Sequence, residues 1–203
     1  MPQVEVSYVV SLYNRPDFLA ACLWSIKGQT HEDYEVIVTD NTEDKTVAHQ
    51  QKRIVEKLKD KRFRYLRTAG KIKVSDCYWS SEVGLNQAKG KWVCFPCEDC
   101  YYPPQWTQRM LTEAVRNNLD LVLCESTLTG PETCGIDGYR VLQLGKPGFP
   151  GYKPSFLVKR AKFKGWLNKP LVPACSGVDR TTLQDLTKKL KWGVARDLMY
   201  VHN

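Results

Sequence analysis

Val-Glu-Val-Ser-Tyr-Val-Val-Ser-Leu-Tyr-Asn-Arg-Pro-Asp, residues 4–17, alternates briefly and then turns continuously apolar before it breaks. That is the pattern of a strand buried on both faces. Pro16 suits the first turn of a helix, and Asp17 the positive end of its dipole. Residues 18–28 follow with helical spacing, Phe18, Cys22 and Ile26 lying on one side with Leu19 and Leu23. Residues 34–39, Tyr-Glu-Val-Ile-Val-Thr, form a second strand that ends in Asp40-Asn41-Thr42. Strand, helix and strand in this order imply a parallel pair with a right-handed crossover. The fold class is therefore α/β, a mostly parallel twisted sheet flanked by helices.

The pattern continues along the chain. Residues 46–59 are a charged helix with Val47, Ile54, Val55 and Leu58 inward, and 62–66 alternate as a third strand. Helical spacing over 74–88 stops before Gly90, where a helix terminates readily. Residues 92–95 are the next strand, 106–117 a helix and 120–124 a further strand. After Ser126 the chain is rich in Gly and Pro. Residues 139–144 read as a hairpin or edge strand, 156–158 as a short strand pairing nearby, 179–190 as a helix and 193–201 as a last strand. No repeat, linker or low-complexity tract interrupts the 203 residues, so a single domain is expected, with 1–105 as one half and 106–203 as the other.

At 42% hydrophobic and 26% charged the composition is that of a globular protein. There is no run of about 18 apolar residues to make a membrane-spanning helix. The N-terminal residues lack the basic start and apolar centre of a signal peptide, so a cytoplasmic location is expected, at most at the cytoplasmic face of a membrane. Eight cysteines in that compartment are read as reduced thiols, mostly small core residues. The net charge of +8, concentrated at 52–67, 159–169 and 188–191, is a solvated face or a match for a phosphate-rich ligand, an anionic lipid surface or nucleic acid.

Gly-x-Gly-x-x-Gly, the P-loop and the Gly-x-Ser-x-Gly elbow are all absent. Three acidic positions at loop ends remain: Asp40, Asp99 and Asp179. Asp40 either caps a turn or accepts hydrogen bonds from a base or ribose, and Tyr13 beside it either packs at the rim or stacks on the base. The run 94–100, Cys-Phe-Pro-Cys-Glu-Asp-Cys, puts Glu98 and Asp99 at the carboxyl end of a strand, where ligands of open α/β sheets bind. A carboxylate there with a diphosphate suits a hard cation, Mn²⁺ or Mg²⁺. The Cys94, Cys97 and Cys100 spacing also invites a zinc reading, which is set aside because alternate strand residues face opposite ways and no fourth ligand is evident. His202, at the end of the last strand, is a candidate metal partner.

Taken in order, residues 6–15, 35–41 and the pattern Gly84-x-x-x-Ala88-x-Gly90-x-Trp-Val-x-Phe-x-Cys-Glu-Asp resemble the inverting family 2 glycosyltransferases of GT-A fold. The resemblance is close over 4–105 and looser through Gly177-Val178-Asp179-Arg180 and Val201-His202-Asn203. It implies transfer of a sugar from a UDP- or GDP-sugar to a glycan, lipid-linked or protein acceptor, with peripheral membrane contact and no nucleic acid. It implies donor contacts by Ser11, Tyr13, Arg15, Asp40, Glu98 and Asp99, a metal held by Asp99 and His202, and Asp179 as catalytic base. Arg15 or Arg180 would offset charge on the leaving diphosphate. Two positions depart from the family: Cys97 stands where the first carboxylate of Asp-x-Asp belongs, and Glu82 where an Asn belongs. A sugar-nucleotide nucleotidyltransferase and a basic nucleic-acid-binding module are the alternatives. The first wants a Gly-rich basic loop after strand one, which Tyr13-Asn14-Arg15-Pro16 is not. The second wants aromatics interleaved with Lys and Arg on one face. The loop 145–155 would be a lid over the donor or a plain connection.

Overall fold

The structure is a computed structural model that describes residues 4–68, 77–129, 139–142, 155–163, 183 and 185–202. The elements run β1 (Val6–Leu12), α1 (Pro16–Lys27), β2 (Tyr34–Asp40), α2 (Lys45–Lys57), β3 (Phe63–Arg67), α3 (Cys77–Gln87), β4 (Trp92–Cys94), β5 (Cys100–Tyr101), α4 (Trp106–Arg116), β6 (Leu121–Thr129), β7 (Tyr139–Leu142), β8 (Phe156–Lys159), α5 (Arg160–Phe163) and β9 (Trp192–His202). One sheet holds all nine strands in the order β3-β2-β1-β4-β8-β6-β9-β5, with β7 on the far half of β6.

β1 and β2 are buried at every position, as strands covered on both faces must be. Alternate residues feed two cores. Tyr8 and Val10 join Leu19, Leu23, Ile26, Trp106 and Met110 beneath α1 and α4. Val9 joins Leu85, Phe95, Phe156 and Phe163 on the opposite face. α1 begins with Pro16, and α2 is capped by Asp44, whose Oδ1 accepts from the amides of Thr46 (2.7 Å) and Val47 (3.1 Å).

The parallel arrangement holds over β3-β2-β1-β4 and returns at β6-β9, but β8 inserts antiparallel between β4 and β6. Residues 156–159 therefore lie in the middle of the sheet rather than at its margin. Among the described residues no helix is long and apolar enough to cross a membrane.

Two glycines of the 84–90 pattern serve packing. A Cβ on Gly84 would sit 2.4 Å from Val9 Cγ1, so α3 lies directly on β1. A Cβ on Gly90 would meet the Ser7 amide at 2.6 Å. The Gly90 amide instead donates to Ser7 Oγ (2.8 Å), which donates to Glu35 Oε1 (2.8 Å). The Lys89 amide (2.6 Å) and Arg64 Nη2 (2.8 Å) complete the Glu35 shell. Burial pushes this carboxyl up, but the Lys89 amide, the Ser7 hydroxyl and Arg64 together outweigh it and hold it below its ordinary value.

A carboxylate with a lowered value stabilises the fold above its unfolded pKa, about 4.3, and loses that contribution as pH falls through the folded value. Glu35→Ala is expected to cost about 2 kcal/mol at neutral pH, the scale for stranding buried hydrogen-bond partners. Urea unfolding at neutral pH and near pH 3 should show the gap between parent and variant narrowing in acid.

Candidate active site

The carboxyl ends of β1 and β2 and the turn after β4 meet at one edge. The Ser11 amide donates to the Pro96 carbonyl (3.1 Å), and Ser11 bridges Cys97 in parallel register. Its hydroxyl pairs with that of Ser81 on α3 (2.7 Å). Asn14, at φ 55, then turns the chain out of β1 in a conformation that Asn tolerates. Tyr13 is 39% exposed at this rim. Arg15 folds back, and its Nη1 donates to Asp99 Oδ2 at 2.6 Å, with Glu98 Oε1 3.9 Å from Nε.

Asp40 is wholly buried, yet its carboxylate is well supplied. Oδ1 accepts from the Thr42 amide (2.8 Å); Oδ2 accepts from Gln51 Nε2 (3.0 Å) and the Tyr65 hydroxyl. Burial and the acceptor Asp40 push the Tyr65 hydroxyl well above its usual range, so it stays a donor. Gln51 is the joint of the site. Its Nε2 also donates to Thr42 Oγ1 (2.9 Å), and its Oε1 accepts the Arg15 amide (3.2 Å). A chain of contacts thus runs Asp40–Gln51–Arg15–Asp99. Neither Gln51 nor Tyr65 was picked out by motif. The signal for Gln51 was its place on the inner stripe of α2, four residues from both Val47 and Val55.

Residues 97–100 form a turn closed by the Cys100 amide on the Cys97 carbonyl (3.2 Å). Glu98 and Asp99 are both buried within it. Burial above all, with repulsion from Asp99, pushes the Glu98 carboxyl up to about 7, against its own amide, Arg15 and the Tyr13 amide. The alternation expected of the three cysteines fails because the strand ends at Cys94. Cys94 Sγ lies by the Tyr102 hydroxyl (3.8 Å), whereas the sulfurs of Cys97 and Cys100 and a carboxylate oxygen of Asp99 lie within 4.8 Å of one another. Cys22, Cys94, Cys100 and Cys124 are buried and in no disulfide, as the core reading requires.

β5 pairs β9 with Cys100 opposite His202, so the backbone of residue 202 reaches the turn that carries Asp99. Asp179, Arg180 and the 145–154 part of the expected lid lie outside the described residues.

The sequence profile of glycosyl transferase family 2 matches residues 7–187. The chain belongs to that family. It is 31% identical over 122 residues to the uncharacterized glycosyltransferase EpsJ of Bacillus subtilis (strain 168), a match spanning 59% of this chain and 33% of EpsJ. It is 28% identical over 116 residues to protein CgeD of the same strain, covering 54% of this chain and 26% of CgeD. The chain thus matches about a third or less of these relatives' length. Residues 1–349 of S. aureus TarS share the fold, with TM-score 0.77 and 19% identity in complex with UDP, over 97% of this chain and 60% of that one. The complex with UDP-GlcNAc gives 0.75 and 17%, over 97% and 58%.

A carboxyl raised in the folded state binds more protons than when unfolded, so its burial erodes stability as pH rises from about 4.3 towards 7. In cation-free protein, thermal melts at pH 5 and pH 8 should show Glu98→Gln gaining on the parent at the higher pH. A constant difference would refute the Glu98 assignment.

Proposed function

We propose that this domain transfers a sugar from a nucleoside diphosphate sugar to an acceptor hydroxyl with inversion at the anomeric carbon. The observation that carries this reading is the Arg15–Asp99 pair, tied through Gln51 to Asp40 at the carboxyl ends of the strands. Family membership supports glycosyl transfer, and the UDP and UDP-GlcNAc complexes of TarS favour a uridine donor over a guanosine one. Residues 1–105 would bind the donor and 106–203 the acceptor, a glycan, lipid-linked or protein hydroxyl, at the cytoplasmic face of a membrane.

The nucleoside would lie over Tyr13, whose exposed ring offers a stacking face. A carboxylate has about four acceptor directions, and three at Asp40 are taken by protein donors. Asp40 would then chiefly shape the loop under the base and keep one direction for the nucleoside. Asp99, with His202 from the neighbouring strand, would hold Mn²⁺ or Mg²⁺. The Asp99 carboxylate is an oxygen ligand of the kind such a cation takes and residue 202 pairs with the end of the turn, whereas the sulfurs of Cys97 and Cys100 beside that carboxylate are ligands Mg²⁺ does not favour. Such a cation supplies Lewis-acid stabilisation of the leaving diphosphate.

In the transfer the acceptor oxygen forms a bond to the anomeric carbon while the carbon–oxygen bond to the diphosphate breaks. Asp179 takes the acceptor proton. Arg15, half exposed at 53%, is able to leave Asp99 and set its guanidinium against the diphosphate as charge develops there.

Calorimetric titration with a UDP-sugar in Mn²⁺ tests the assignments. Asp99→Ala should weaken Mn²⁺-dependent donor binding by at least about tenfold. Asp179→Asn should keep that affinity while transfer falls by roughly 10²–10⁴. Equal Mn²⁺-dependent binding by Asp99→Ala and the parent would sink the Asp99 role.

A further inference from the structure

We propose that the 97–100 turn is a mixed sulfur–oxygen cation site, with Cys97, Asp99 and Cys100 as ligands, that takes a thiophilic divalent cation of the zinc class in preference to Mg²⁺. Three observations carry this. The two sulfurs and an Asp99 oxygen lie within 4.8 Å of one another, close enough to share one ion. The turn that brings them together is closed by a backbone hydrogen bond, so the grouping does not depend on side-chain chance. The ladder between β5 and β9 sets the backbone of residue 202 opposite Cys100, which brings a further residue of ligating type to the end of the turn.

The chemistry of the donors decides the class of ion. Thiolate and imidazole select zinc-like cations, whereas Mg²⁺ demands oxygen from carboxylates, carbonyls and water. A site with one carboxylate and two sulfurs is poor in what Mg²⁺ needs. Cys97 is partly accessible and Cys100 is buried, so an ion from solvent would meet Cys97 first. Arg15 now holds one Asp99 oxygen and is half exposed, so it is able to swing away when an ion arrives. The existence of the site does not require glycosyl transfer. Its use as the donor's cation site rests on that reading.

The test uses the full chain, reduced and stripped with a chelator, titrated with Co²⁺. Bound thiolate gives an intense near-ultraviolet sulfur-to-cobalt absorption. That band should appear, fall on adding Zn²⁺ and resist excess Mg²⁺. Cys97→Asp, which leaves the Cys100 sulfur, should lose about half of it and shift relative affinity towards Mg²⁺ by at least about tenfold, the low end even for changes outside the ligand shell. Cys97→Ser, which changes only sulfur to oxygen, repeats the test should the aspartate variant fail to fold. A parent without the band, a band unchanged in both variants, or Mg²⁺ competing on equal terms would overturn the proposal. UDP titrated in parallel separates the two readings. Nucleotide binding without the sulfur band overturns the thiophilic site and leaves transfer standing. The band without nucleotide binding supports the site and overturns transfer.

Discussion

Gln51 is the contact on which the carboxyl edge depends. A fully buried carboxylate such as Asp40 is tolerable only if its acceptors are met. Gln51 meets one of them from inside α2, and with its remaining groups holds the Thr42 hydroxyl and the Arg15 amide. The start of α1, the loop after β2 and the face of α2 are therefore fixed by one side chain. Arg15 leaves this joint aimed at Asp99, and the rim of the site takes its shape from that direction.

Two buried carboxylates bracket β2, and their surroundings divide their work. Glu35, near its amino end, ties β1, β3 and the turn before β4 into one block through Ser7, Arg64 and Lys89. Asp40, at its carboxyl end, organises the loop after β2 through Thr42, Gln51 and Tyr65. A third carboxyl, Glu98, has little cationic support and responds by holding its proton to about 7. The same chemical group is a staple, an organiser and a titrating neighbour, according to how many donors its position supplies.

The scaffold beneath is set by close approach. α3 lies on β1 because Gly84 has no Cβ to strike Val9, and the turn into β4 passes Ser7 because Gly90 has none either. These glycines belong to the motif that resembles the family, yet their work is packing. The Asp99 turn then starts at a defined height above the sheet, beside Ser11.

Local pattern was enough for β1, α1, β2 and the turn at Asp99. A buried parallel strand is continuously apolar and a helix repeats every 3.6 residues, so each leaves its mark within a dozen positions. The cap at Asp44 and the stop near Gly90 are equally local. Pairings between distant segments leave no such mark. β8 between β4 and β6, His202 opposite Cys100, and Gln51 reaching Asp40, Thr42 and Arg15 at once arise from contacts across the chain. The sulfurs of Cys97 and Cys100 come together because the strand ends at Cys94 and the chain turns, a boundary that periodicity does not resolve to the residue. Residue types and spacing announced an α/β sheet with Asp99 in a turn at the carboxyl edge of its strands. Which groups surround that carboxylate was decided by long-range pairing, because a side chain's neighbours depend on where the backbone returns and not on the residues beside it in sequence.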